Sequence, residues 1–219
     1  MEAGSEDADV SATLPPAALS IITTEHFVLQ GARAATISES TGRAGMFLST
    51  VSGGLVALGL MATATRVGSA FYAFGLALLP MLALIGALTF QRVLQSGIED
   101  HGYARRISRL RGFYFESVPQ LTNYIPRAPA EEAISARGLS HGRGQGFLTT
   151  AGMMAVITAV LIGGFAGLLC SVLFDHRLAL ALSGGAVLAA GALLALTEYQ
   201  RAAWIRADAG DPRSSGGSW

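Results

Sequence analysis

Residues 45–65, GMFLSTVSGGLVALGLMATAT, run for twenty-one positions without a charge between Arg43 and Arg66. At 1.5 Å per residue a helix of this length crosses the ~30 Å hydrocarbon core of a bilayer. Working outward, three more blocks share that character: 69–90, 147–174 and 178–197. The chain has 219 residues, of which 51% are hydrophobic and 14% charged. Four such blocks leave too little polar sequence to wrap them as buried helices of a soluble domain. The expected fold class is all-α: a polytopic membrane protein with four transmembrane helices.

Upstream, MEAGSEDADV is acidic and the first apolar block starts late, so no basic-headed signal peptide is expected and the first span is retained. Residues 1–22 read as a disordered acidic tail. A helix start is expected at Thr23 or Thr24, with Glu25 in its first turn, leading through 23–43 and either continuing unbroken into the first span or bending at Gly42 and Gly45. Glu39 and Arg43 are spaced i, i+4, which supports an exposed helix face. Arg66, Val67 and Gly68 are too few to do more than turn the chain, so the first two spans form an antiparallel hairpin. Pro80 lies in mid-span and predicts a kink, because it removes a helix hydrogen bond.

Beyond the second span, residues 91–116 place Tyr103, Ile107, Leu110 and Tyr114 on one stripe, while Arg105, Arg106, Arg109 and Arg111 crowd the other side. This is a basic amphipathic helix suited to a membrane surface or a partner helix. Residues 23–116 thus make a first unit, 117–138 a proline-containing linker with a short helix, 139–206 a second unit and 207–219 a flexible tail. Trp204 and Tyr199, after the last span, are expected as interfacial anchors.

Four crossings put both termini and the centre on one side. That side carries thirteen of the fifteen arginines, while Arg66 and Arg177 occupy the two turns. The positive-inside rule makes the termini cytoplasmic in a bacterial inner membrane. The two hairpins also read as copies. STGRAGMFLST at 40–50 returns as SHGRGQGFLTT at 140–150, and the hairpins end in ALTFQR and ALTEYQR. Two-span units keep their orientation, so such a repeat has its axis along the membrane normal.

Small residues recur every four positions at Gly45, Ser49, Gly53 and Ala57, at Ala159, Gly163 and Gly167, and around Gly185, and small residues let helices approach closely in lipid. Tight packing and a homo-oligomer, or a membrane-protein partner, are therefore expected. Arg43 and Arg143 each follow a glycine at the mouth of a span, where a helix amino end and a guanidinium suit an anionic lipid head group; Arg105, Arg106, Arg109 and Arg111 are further candidates.

No catalytic site is legible. The spans hold no Asp, Glu, His or Arg for a proton relay, and the four histidines lack ligand spacing, so no metal or cofactor is expected. GRGQG at 142–146 lacks the lysine of a phosphate loop. A net charge of zero gives no attraction to nucleic acid. Cys170, alone in the chain, reads as a small packing residue.

The runs TEHFVLQGARAATISESTGR at 24–43 and IEDHGYARRISRLRGFYFES at 98–117 resemble an uncharacterised family of small bacterial four-span membrane proteins. The resemblance implies the four-helix layout and no chemistry. In layout alone the chain is also similar to membrane effectors of bacterial defence systems. The expected function is that of a non-enzymatic inner-membrane protein acting by helix packing, oligomerisation, or partner or lipid binding through its basic helix. The alternative is a channel or facilitator with a pore between hairpins or at an oligomer axis.

Overall fold

The computed structural model describes residues 16–117, 149–174 and 177–209. They form four α-helices: α1 (Pro16–Thr65), α2 (Ser69–Ser117), α3 (Thr150–Leu173) and α4 (Leu178–Ala209). All four contain a stretch long and apolar enough to cross a membrane, which makes this an all-α, multi-pass membrane protein.

α1 begins seven residues before the expected start. Pro16 opens it, as proline suits a first turn whose N–H groups have no helical partner. Thr24 is not a cap: its hydroxyl donates to the Ser20 carbonyl at 2.9 Å, and Thr36, Thr41 and Thr50 do the same one turn back. The hydroxyls are thus turned onto the helix's own carbonyls and cap nothing, and of the two expected courses the helix takes the unbroken one past Gly42 and Gly45. Glu25 consequently lies inside the helix and not in its first turn. Likewise α2 continues from its span through Pro80 and on to Ser117, so the basic segment is no separate element.

The α1–α2 turn follows from local geometry. Val67 N–H donates to the Ala62 carbonyl at 3.1 Å, the six-to-one bond of a Schellman ending. Arg66 and Val67 both adopt positive φ, 49° and 58°, where glycine is usual, and Gly68 N–H donates to the Thr65 carbonyl at 3.0 Å. The chain is thereby sent straight back along α1.

Every neighbouring pair is antiparallel, because facing positions fall in number on one helix as they rise on the other. On α1 and α2, Arg33 meets Asp100, Phe47 meets Gly86, Gly54 meets Leu82 and Leu58 meets Gly75. On α2 and α3, Gly75 meets Leu168, Leu79 meets Gly164 and Gly86 meets Thr158. On α3 and α4, Gly163 meets Gly185 and Gly167 meets Ala181. Successive helices pack extensively, while α1 meets α3 at few positions and α2 meets α4 mainly through large side chains near the end of α4. The helical bundle is therefore an open row in chain order, with α1 and α4 at its edges. Phe47, Leu82, Phe90, Met154 and Leu161 fill its core.

The third helix starts at Thr150, three residues after the expected 147, because Thr149 is its N-cap. Thr149 is extended and its Oγ1 accepts the Gly152 N–H at 3.0 Å. The corresponding Ser49 lies in the middle of α1, so the two hairpins differ at this point. Asp175 and His176, of the second turn, lie outside the described residues.

Candidate functional site

Because α1 and α2 outrun their spans on the same side, residues 20–44 of α1 and 91–116 of α2 form a paired stalk. At 1.5 Å per residue it extends about 40 Å past the apolar blocks. The faces turned inward are small or apolar. Leu29, Val93, Leu94, Ala104 and Ile107 are buried, Ala104 and Ile107 completely. The expected stripe thus holds at Ile107, while Tyr103, Leu110 and Tyr114 are half-buried and Ala104 joins the centre.

Charges clamp the stalk. Arg33 Nε donates to Asp100 Oδ1 at 2.8 Å, with both side chains only 20–25% exposed. Nearer the spans, Glu39 Oε1 accepts from Arg43 at 2.8 Å and lies 3.6 Å from Arg92. Farther out, Arg105 Nε donates to His101 Nε2 at 3.0 Å, and the His26 ring stands edge-on to Tyr114. The C-terminal part of α4 braces the base: Trp204 packs edge-on to His101, and Tyr199 lies beside Phe90. Trp204, half-buried, thus packs against α2.

These placements alter the expected sites. Arg43 stands mid-helix, where the backbone N–H groups are already bonded within the helix, so there is no helix amino end beside it, and Glu39 shares its charge. Arg143, its suggested counterpart, lies outside the described residues. Arg106 and Arg109 are exposed on the stalk, and Arg105 and Arg111 are half-buried.

The small residues divide sharply. On α3 and α4 they bring backbones together: a Cβ on Gly167 would lie 3.0 Å from the Ala181 carbonyl oxygen, and Ala159, Gly163 and Gly185 are buried. Cys170 packs there too, its Sγ 2.9 Å from where a Cβ on Gly184 would stand. On α1, by contrast, Gly45, Ser49 and Gly53 are exposed and Ala57 is half-buried; added Cβ atoms at Gly45 and Gly53 would meet nothing within 4 Å. Gly45 and Gly53 therefore make no close approach to another helix of the same chain. Phe47, Val51 and Gly54 face α2 instead, since Phe47 fills the gap that Gly86 leaves.

Sequence reasoning passed over Asp100, Thr158 and Gln200. Asp100 and Arg33 are 67 positions apart and show no local signal. Among the described residues Thr158 and Gln200 are the buried polar side chains, and the Oγ1 of Thr158, wholly buried against Gly86 and Phe47, has no hydrogen-bond partner.

Compared with known protein families, curated proteins and solved structures, the chain matches none. The resemblance to small four-span membrane proteins therefore stands on the four apolar helices alone.

Proposed function

We propose that this is a non-enzymatic membrane protein that acts through contacts: it works as a homo-oligomer or with a partner protein, and its cytoplasmic stalk presents a basic docking surface. The observation that carries this reading is the position of Arg105, Arg106, Arg109 and Arg111 on the outer part of a paired stalk continuous with the spans. Measured along α2, these arginines lie about 20–30 Å past residue 91. That is more than twice the ~8–10 Å screening length of physiological salt. With the stalk standing off the bilayer, their attraction to head groups of the host membrane is screened, and an acidic protein surface is the better match.

The arginine asymmetry supports a stalk on the cytoplasmic side of a bacterial inner membrane. The shared SxGR openings and tight hairpins support a duplicated two-span unit. The test is binding by the full-length protein reconstituted in nanodiscs. Replacing Arg106 and Arg109 with Gln should abolish capture of the acidic partner from the native membrane fraction while leaving association with anionic vesicles unchanged. Loss of vesicle association alone would overturn the docking reading. Ion flux through liposomes carrying the protein would instead favour a channel.

A further inference from the structure

Where the stalk enters the spans, two guanidiniums from different helices share one carboxylate oxygen. Glu39 Oε1 accepts from Arg43 Nε at 2.9 Å and Nη2 at 2.8 Å, and Nη2 of Arg92 on α2 stands 3.6 Å from it. Arg92 Nη1 donates to Gln95 Oε1 at 3.2 Å. Two guanidiniums and one carboxylate leave one positive charge in excess. The three side chains are 44–56% exposed, so the cluster opens outward. Each guanidinium carries five N–H donors, and Nη1 of Arg43 and Nε of Arg92 bond to nothing among the described residues.

Depth identifies the counter-charge. Arg43 precedes the charge-free block 45–65 by two residues and Arg92 follows the block 69–90 by two, so both stand about 3 Å outside the hydrocarbon core. Head groups widen that ~30 Å core to ~40–45 Å, which puts the cluster at the level of the lipid phosphates. Arg105, Arg106, Arg109 and Arg111 lie too far out along α2 to reach them. A guanidinium meets a phosphate through two parallel N–H···O bonds, and basic pockets between spans on the cytoplasmic side suit anionic head groups. The charge balance sets the class of lipid. Glu39 is already taken by the arginines, so the excess positive charge matches a phosphodiester whose head group carries no cation of its own; choline would bring a positive charge back.

We propose that Arg43 and Arg92 bind the phosphate of an anionic phospholipid, with Glu39 as the positioning residue that draws the two guanidiniums together. The site is separate from the docking surface of the outer stalk and stands without it. The full-length protein in detergent is titrated with phosphatidylglycerol and with phosphatidylcholine of the same acyl chains, and bound lipid is counted by native mass spectrometry. The wild type should retain phosphatidylglycerol about fivefold better, and Arg43→Gln or Arg92→Gln should each lower that retention about fivefold. Arg92→Lys, which keeps the charge and loses the planar fork, should lower it less. Glu39→Gln keeps an oxygen for the arginines and raises the excess charge, so it should increase retention, which a damaged fold would not do. Arg106→Gln with Arg109→Gln should leave it unchanged. Equal retention of the two lipids, or retention indifferent to Arg43→Gln and Arg92→Gln, would overturn the site and leave both arginines as topology anchors. Displacement of the bound lipid by an equal concentration of glycerol 3-phosphate would make a soluble phosphate the ligand and overturn the lipid.

Discussion

Gly163 and Gly185 meet backbone to backbone: a Cβ on Gly163 would lie 2.7 Å from the Gly185 carbonyl oxygen, and one on Gly185 would lie 2.8 Å from that of Gly163. Carbonyls cannot retreat as a side chain can, so any enlargement pushes α3 and α4 apart. Gly163→Val should cost about 2–3 kcal/mol, in the range of overpacked cores. Gly53→Val, with nothing within 4 Å, should leave the stability of a single copy within about 0.5 kcal/mol of wild type. Unfolding by denaturant in detergent micelles checks the contrast, and equal costs would refute the α3–α4 contact.

The Arg33–Asp100 pair joins the two arms of the stalk across 67 positions. Its partial burial makes it worth more than a fully solvated pair, about 1 kcal/mol. Asp100→Asn should loosen the stalk, read as faster amide exchange over residues 20–44 with the spans unchanged. Swapping the charges, Arg33→Asp with Asp100→Arg, should restore much of the protection.

Thr158 buries a hydroxyl without a partner against Gly86 and Phe47. Thr158→Val keeps the shape and removes the desolvated group, so stability should rise by up to about 1 kcal/mol. Gly86→Ala places a methyl 2.5 Å from Thr158 Oγ1 and 2.9 Å from the Phe47 ring, and should cost about 1–3 kcal/mol. Thermal unfolding of the purified protein reads both signs.

Val67 holds φ at 58°, where a β-branched side chain crowds the backbone at a cost of about 1–2 kcal/mol. Val67→Gly relieves that crowding but gives the unfolded chain more freedom, by about 0.5–1 kcal/mol. The net expectation is a gain of about 0.5–1 kcal/mol, visible as a higher melting temperature; a loss would mean that the turn is not left-handed at this position.

The sequence by itself determined the lengths of the apolar blocks, the tight turn at 66–68 and the helical character of the spans, because these depend on residues close in the chain. Glu39 and Arg43 were legible for the same reason, being one helical turn apart. Local signals also invited a start at Thr24, whose hydroxyl instead bonds the Ser20 carbonyl inside a longer helix, and left open whether the chain bends at Gly42, where the helix runs on.

Only the tertiary structure decided which face of each helix meets which neighbour. Small residues lie on several faces of α1, and their spacing alone cannot choose among them. The choice is made by shape across the contact: Phe47 fits where Gly86 is empty and Leu82 fits against Gly54, which turns Gly45, Ser49 and Gly53 outward. The same register brings Arg33 to Asp100 and joins two long helices into a stalk. Complementarity between surfaces distant in sequence sets that register, and no local pattern encodes it.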